Sequence, residues 1–391
     1  MEERESEERE AKIFEDLCPE LMEVVLSRVP LVTRTRLKCV SKSWRHLITS
    51  LRHSSPQTTS SGLVIFSKKV EPNVHQSSLI EVRDHQDCNL YDSFRHKFPW
   101  LVDSCNGLLL YANKENNNNW TYCISSPLLN QWLILPQRPK SWILVRETIA
   151  FDGHNPFKII CFSSQEVDFS AGKVSCQIFL SQTWKWKEDE LTLLNSNLLL
   201  ERECCYMDWF GPSVYSSGRL YWAWCSSMLV FYEDSELFKL VRLPKSKTTK
   251  KCTKYPLYLR LWASEGRIHY CEATQEGYCI WIYLNDDDDD EYEWQAKRSI
   301  MLDRSIEVVL WVNKTMKARV GEGMIQPCAF NEDLQVLYFQ VPPGSIVSYS
   351  FETQKMEKVW DYGKPGEDYF MSHVFPFLFN SVNLVSKDMS N

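Results

Sequence analysis

The residues in this 391-residue sequence best able to do chemistry are its eight histidines, its 14 cysteines and its 51 acidic side chains. Their spacing points to no reaction. No two cysteines form a C-x-x-C pair, and adjacent Cys204 and Cys205 have no histidine at ligand spacing. Buried, reduced thiols are therefore the better reading than a zinc site. His154 and His269 fall at or beside recurring turns, where a turn or strand role accounts for them. The acidic pair Asp189 and Glu190 reads as an exposed polar turn. Residues 286–290 are an unbroken aspartate run, lacking the interspersed ligands and turn glycine of a calcium loop. That run reads as a solvated hairpin tip. The nucleophile-elbow, zincin, P-loop and dinucleotide patterns are absent, and Gly321 and Gly323 form only a lone G-x-G. No catalytic residue, metal or cofactor is expected.

A net charge of −7 argues against a general nucleic-acid or acidic-membrane binder. The first twelve residues, MEERESEEREAK, are charged rather than apolar, so no secretory signal is read there. No run of about 18 apolar residues is present, so no membrane span is expected. Reduced thiols fit the cytoplasm, the nucleus or both. The basic stretch 245–254 is read as an exposed loop, with nuclear targeting as the alternative.

Two kinds of element must carry the function instead. Residues 1–12 form a charged leader. Residues 13–50 have helical periodicity: Leu21, Val24, Val25, Leu26 and Val29 recur at the spacing of an amphipathic helix, which Pro30 ends. Thr33 caps a second helix carrying Leu37 and Val40 inward, and Ser41 or Ser43 a third carrying Trp44, Leu47 and Ile48. Three helices in so short a piece cannot bury their own apolar faces, because chains below about 40 residues need outside support. Residues 51–61 are a Ser/Thr-rich linker.

From Gly62 to residue 385 the pattern is all-β, with short apolar runs cut by turn residues. Two units alternate. One is a turn and an apolar strand, as in 104–112, 151–162, 216–224, 264–272 and 331–339. The other is a strand, a polar turn and a large apolar residue, as in 126–136, 179–188, 231–244, 282–297 and 349–360. The turn residues Gly107, Gly153, Gly218, Gly266 and Asp333 lie 46, 65, 48 and 67 residues apart. Four strands in about 45 residues is the size of one propeller blade. Five such units, and a sixth built from strands near 62–68, 77–83 and 369–379, predict a propeller of six blades of four antiparallel strands; seven is the alternative. A short helix is expected within an insertion at 188–212, and residues 386–391 are a tail.

The N-terminal stretch resembles an F-box. The matching positions are Leu17, Pro19, Glu20, Leu21, Val25, Leu26, Arg28, Val29, Pro30, Leu37, Val40, Lys42 and Trp44, with Cys18 departing from the usual proline. The downstream region resembles the F-box-associated, kelch-like β-propeller of plant F-box proteins. The resemblance is carried by Ser104, Cys105, Asn106, Gly107, Leu108 and Leu109, by 126–136, and by the stretches near 329–340 and 346–360. No Gly-Gly pair occurs, so the kelch signature itself is absent. The resemblance implies a small all-α, three-helix F-box followed by an all-β propeller. It implies a non-catalytic substrate-recognition subunit of a Skp–cullin–F-box ubiquitin ligase; the alternatives are a propeller interaction scaffold that does not lead to degradation and a propeller enzyme with a helical lid. In this reading Leu17, Pro19, Leu21, Val25, Leu26, Val29, Pro30, Leu37, Val40, Lys42 and Trp44 bind a Skp-type adaptor, and through it the cullin and RING subunits. The propeller holds a protein substrate that no motif identifies.

Overall fold

The structure is a computed structural model. It describes residues 61–69, 75–81, 87–88, 97–114, 120–139, 146–199, 210–224, 227–244, 260–264, 266–273, 277–284, 293–301, 326–331, 334–341, 345–361 and 369–378, with single positions 21, 25, 26, 29, 37, 44, 382 and 384. The chain divides into two compact units, Met1–Ser60 and Ser61–Asn391. Of the first, Leu21, Val25, Leu26, Leu37 and Trp44 are helical. Whether three helices form lies outside the described residues.

The second unit is built from antiparallel meanders. One sheet contains β1 (Ser61–Lys69), β2 (His75–Glu81) and β3 (Asp87–Cys88). The next contains β4 (Trp100–Cys105), β5 (Leu108–Lys114), β6 (Trp120–Ser126) and β7 (Gln131–Ile134). Then follow β8 (Arg146–Ala150), β9 (Lys158–Asp168), β10 (Lys173–Leu180) and β11 (Lys185–Leu194), and β12 (Phe210–Ser216), β13 (Arg219–Trp224), β14 (Ser227–Tyr232) and β15 (Leu237–Arg242). The last two meanders are β16 (Arg260–Ser264), β17 (Arg267–Ala273), β18 (Gly277–Leu284) and β19 (Glu293–Met301), and β20 (Gln326–Asn331), β21 (Val336–Val341), β22 (Ser345–Ser350) and β23 (Met356–Asp361). Finally β24 (Tyr369–Leu378) pairs antiparallel with β1, from Ser61 opposite Leu378 to Lys69 opposite Tyr369. Pro376 has no amide to donate, and β24 is the end strand of its sheet, where that loss is tolerated.

Turn chemistry sets the register. Asn106 and Gly107 have φ of 45° and 92°, and Ser217 and Gly218 have 51° and 72°, the left-handed pair that joins two twisted strands tightly. In the fifth repeat Gln335, at φ 50°, takes the left-handed position, and Asp333 lies outside the described residues. Burial follows position in the meander. β14, SMLVFY, is buried at five of its six residues, as a strand covered on both faces must be. β11 alternates buried and exposed residues toward its end, as a strand with one face in water does. Asp189 and Glu190 lie within this strand rather than on a turn. There Lys173 reaches Glu190 at 2.5 Å and Lys187 reaches Asp189 at 3.1 Å. The helix expected after 188 is a short 3-10 turn, Ser196–Leu199.

One connection was not expected from sequence. The end of β11 runs parallel to β15, Leu193 opposite Phe238 and Leu194 opposite Lys239, joining two meanders into an eight-stranded sheet. Gly172 permits it: its carbonyl accepts the Leu193 amide at 2.7 Å. At φ +65°, a Cβ there would stand 3.2 Å from the Leu193 carbonyl oxygen.

The cores lie between successive sheets. Phe162, Trp222 and Phe238 join β8–β11 to β12–β15, with Phe162 5.2 Å from Trp222 and 5.4 Å from Phe238. Tyr122, Phe179 and Trp186 fill the gap between β4–β7 and β8–β11. Trp262, stacked on His269 at 5.7 Å, packs against Phe330 of the next sheet. The end strands β4, β8, β12, β16, β20 and β24 lie beside one another in that order, and β24 returns to β4. The result is a propeller-like ring of sheets, with these strands innermost.

Candidate functional site

The innermost strands bring polar side chains to the axis. On β4, alternation puts Asp103 and Cys105 on one buried face; Leu101, before a shift in the β4–β5 register, is buried as well, while Val102 and Ser104 remain half-buried. On β8, RETIA, Thr148 is fully buried and shares its face of the strand with Arg146. Ser213 is on β12. These residues meet at Asp103 Oδ2, which accepts the Thr148 hydroxyl at 2.5 Å, the Ser213 hydroxyl at 2.7 Å and the Ile149 amide at 3.1 Å. The Thr148 and Ser213 hydroxyls also touch each other. Asp103 Oδ1 is buried without a hydrogen-bond partner. Desolvation holds the Asp103 carboxyl above its ordinary range, against the lowering effect of those donors.

Arg146 stands at the start of β8, half-buried. Desolvation lowers its pKa from the ordinary value, and the charges of Asp103 and Glu147 oppose that. The other face of β8 places Glu147 between sheets, where the Tyr122 hydroxyl donates to its Oε1 at 2.9 Å. Burial raises Glu147, with Arg138 and Arg146 acting in the opposite sense. The Arg138 guanidinium lies over the Tyr122 ring at 5.8 Å. Turn residues tie the same two sheets together: the Asn106 side-chain amide donates to the Phe151 carbonyl at 2.5 Å, as does the Cys105 thiol at 3.3 Å.

Sequence reasoning singled out none of Asp103, Arg146, Thr148 and Ser213. A signal was present. Asp103 lies four residues before Gly107, Thr148 five before Gly153 and Ser213 five before Gly218, so aligning the repeats on their glycines stacks Thr148 on Ser213 and leaves Asp103 one position away. Among the described residues no group of three or more His, Cys, Asp or Glu side chains is placed to hold a metal ion.

The second candidate is the N-terminal unit. Leu21 and Val25, one helical turn apart, are 54% and 41% exposed. Leu26 is fully buried, and its carbonyl accepts the Val29 amide at 3.3 Å. Val29, Leu37 and Trp44 are half-buried. Leu17, Pro19, Pro30, Val40 and Lys42 lie outside the described residues.

A profile of the F-box associated beta propeller domain matches residues 41–377. The chain belongs to that family. An F-box domain profile matches residues 14–54, so both parts of a plant-type F-box protein are present. One F-box protein of Arabidopsis thaliana is 22% identical over 306 residues, covering 71% of this chain and 70% of its own length. A second from the same plant is 26% identical over 253 residues, 59% of this chain and 71% of its own. Solved structures match more loosely. TolB from Acinetobacter baumannii gives a TM-score of 0.45 at 9% identity, over 84% of this chain and 70% of its own. A copper-bound fungal alcohol oxidase gives 0.40 at 9%, over 79% and 66%.

Proposed function

We propose that this F-box protein is the substrate-recognition subunit of a Skp–cullin–F-box ubiquitin ligase. The observation that carries the reading is the pair Leu21 and Val25, two large apolar side chains exposed on one helical face inside the F-box match. Such a face favours burial against a partner helix. The three-helix F-box of residues 13–50 docks a Skp-type adaptor through Leu17, Pro19, Leu21, Val25, Leu26, Val29, Pro30, Leu37, Val40, Lys42 and Trp44. The adaptor carries the cullin and RING subunits. Linker 51–61 leads to a six-bladed propeller, 62–385, that holds a protein target. The ring order of the innermost strands and the closing of β24 on β1 support six blades. Ubiquitin transfer then gains from proximity, because a tethered lysine meets the ubiquitin donor at high effective concentration.

The reading is non-catalytic. An acid does converge on the channel, as an enzyme would need, but Asp103 is occupied by Thr148, Ser213 and the Ile149 amide. Residence in the cytoplasm, the nucleus or both suits the seven free cysteines among the described residues, six of them buried.

The test is co-purification of the full chain with a Skp-type adaptor, comparing wild type with Leu21→Ala/Val25→Ala. Because both side chains are exposed, the double variant should fold and lose the adaptor. Equal recovery of adaptor by the two proteins would overturn the proposal.

A further inference from the structure

The outer edges of the sheets differ in one respect. β7 ends the order β4–β5–β6–β7: one side of it pairs with β6, and among the described residues no strand is hydrogen-bonded to the other. A strand in that position turns alternate N–H and C=O groups outward, a template for a further strand, and folds blunt such edges with charged side chains or cover them. The longer outer strands β11, β15, β19 and β23 read KWKEDELTLL, LFKLVR, EWQAKRSIM and MEKVWD, and all carry charges. The end of β11 also covers β15. β7 reads QWLI and carries none. Its exposed positions are apolar: Trp132 and Ile134, two residues apart on one face, are 36% and 48% exposed. On β23 the exposed side chains among those described are Glu357 and Lys358. The other face of β7 is committed to the core through Leu133. The strand is also held at both ends, by the Leu384 amide on the Gln131 side chain and by Trp186 Nε1 on the Pro136 carbonyl at 2.7 Å.

We propose that this edge of β7 takes up the propeller's target as an added strand: an extended, uncharged segment with apolar side chains at alternate positions. The inference rests on the reading of the propeller as the substrate-holding unit. Main-chain pairing requires an extended partner. Trp132 and Ile134 favour apolar side chains on the same face, since aromatic and β-branched residues stabilise each other across strands. Nothing on β7 would compensate a charge desolvated against it. The fold already makes one such addition, where the end of β11 lies on β15 with buried Leu193 opposite Phe238. A second copy of the chain is a poorer occupant. Edge against edge, strands of this length meet over about 13 Å, whereas stable pairs of folded proteins bury at least about 1,200 Å². A short segment instead meets the edge along its whole length.

The experiment measures amide hydrogen exchange across β7 in the full chain by mass spectrometry. The probes are acetyl-Ser-Thr-Val-Thr-Ile-Thr-Ser-amide, its variant with proline for the central threonine, and its variant with lysine for valine and isoleucine. The first should slow exchange in β7 saturably. The other two lack a main-chain donor or the apolar side chains and should not. Binding of the first peptide should weaken about tenfold or more in Trp132→Thr/Ile134→Thr, which keeps strand propensity, and in Ile134→Lys. Sedimentation of the full chain alone should show a monomer. No saturable protection, equal protection by either control peptide, or equal binding by the folded double variant would overturn the proposal. So would protection of β7 that rises with protein concentration as a dimer forms, which would make a second copy the occupant. Adaptor recovery by the double variant is a separate readout. It should equal wild type, so failure here is distinguishable from failure of the ligase reading.

Discussion

The Ser213 hydroxyl on β12 donates to Asp103 on β4 at 2.7 Å, across 110 residues of chain and past the intervening strand β8. With Thr148 it makes one carboxylate the meeting point of three of the innermost strands, β4, β8 and β12. Replacing Asp103 by Ala would leave two hydroxyls and an amide without their acceptor in a buried setting. Urea unfolding should show a loss of about 3 kcal/mol, and Ser213→Ala a loss of about 1 kcal/mol. A loss for Asp103→Ala no larger than for Ser213→Ala would mean that the carboxylate does not unite the donors.

The same carboxyl gives a pH signature. Its pKa is raised in the folded protein, mainly by burial, so the fold binds that proton more tightly than the unfolded chain does. The stabilisation from protonation is complete below about pH 4, the unfolded value, and is lost as pH rises through the raised folded value. Asp103→Asn carries no such proton. The stability of wild type relative to Asp103→Asn should therefore decline as pH rises through that window. The lowered carboxyls Asp152 and Asp168, which respond in the opposite sense, are common to both proteins and cancel. Parallel curves of urea midpoint against pH for the two proteins would contradict this.

Backbone strain supplies a prediction of opposite sign. Gln354 ends the β22–β23 turn at φ 56°, its amide bonded to the Ser350 carbonyl at 2.8 Å, with its side chain exposed. A left-handed non-glycine residue costs about 1–2 kcal/mol, and glycine returns part of that as unfolded-chain entropy. Gln354→Gly should stabilise the protein by about 0.5–1 kcal/mol. Gly172→Ala should destabilise it, since a Cβ there would crowd Leu193. Thermal melts of the two variants shifting in the same direction would refute the assignment.

These cases show where the sequence is readable. Turn glycines and strand alternation are local, so Gly107, Gly153, Gly218 and Gly266 mark repeats directly, and all four have positive φ. The pairing of the leftover strands near 62 and 369 follows from the need to cover sheet edges. The parallel contact of Leu193 with Phe238 is different: it depends on how far β11 extends, which no local pattern encodes. Glu147 likewise owes its desolvation to neighbouring sheets, which no local pattern encodes. The exposed face of Leu21 and Val25 was legible because helical spacing alone brings residues four apart together.

Past β24 the chain still does structural work. Leu384 is 7% exposed and packs in the core between β4–β7 and β8–β11, and its amide donates to the Gln131 side-chain oxygen at 2.9 Å. The segment therefore ties the sheet that contains β24 to the two sheets that follow it, as a second closure after the β1–β24 pairing. Leu384→Ala removes a buried side chain and should cost about 2–4 kcal/mol, lowering the melting temperature measurably. Gln131→Ala removes only the single hydrogen bond and should cost about 1 kcal/mol. If the segment acts as a clasp, the two changes act through one contact and should be less than additive in a double-mutant cycle. Additive losses would place Leu384 in the core without Gln131 holding it there.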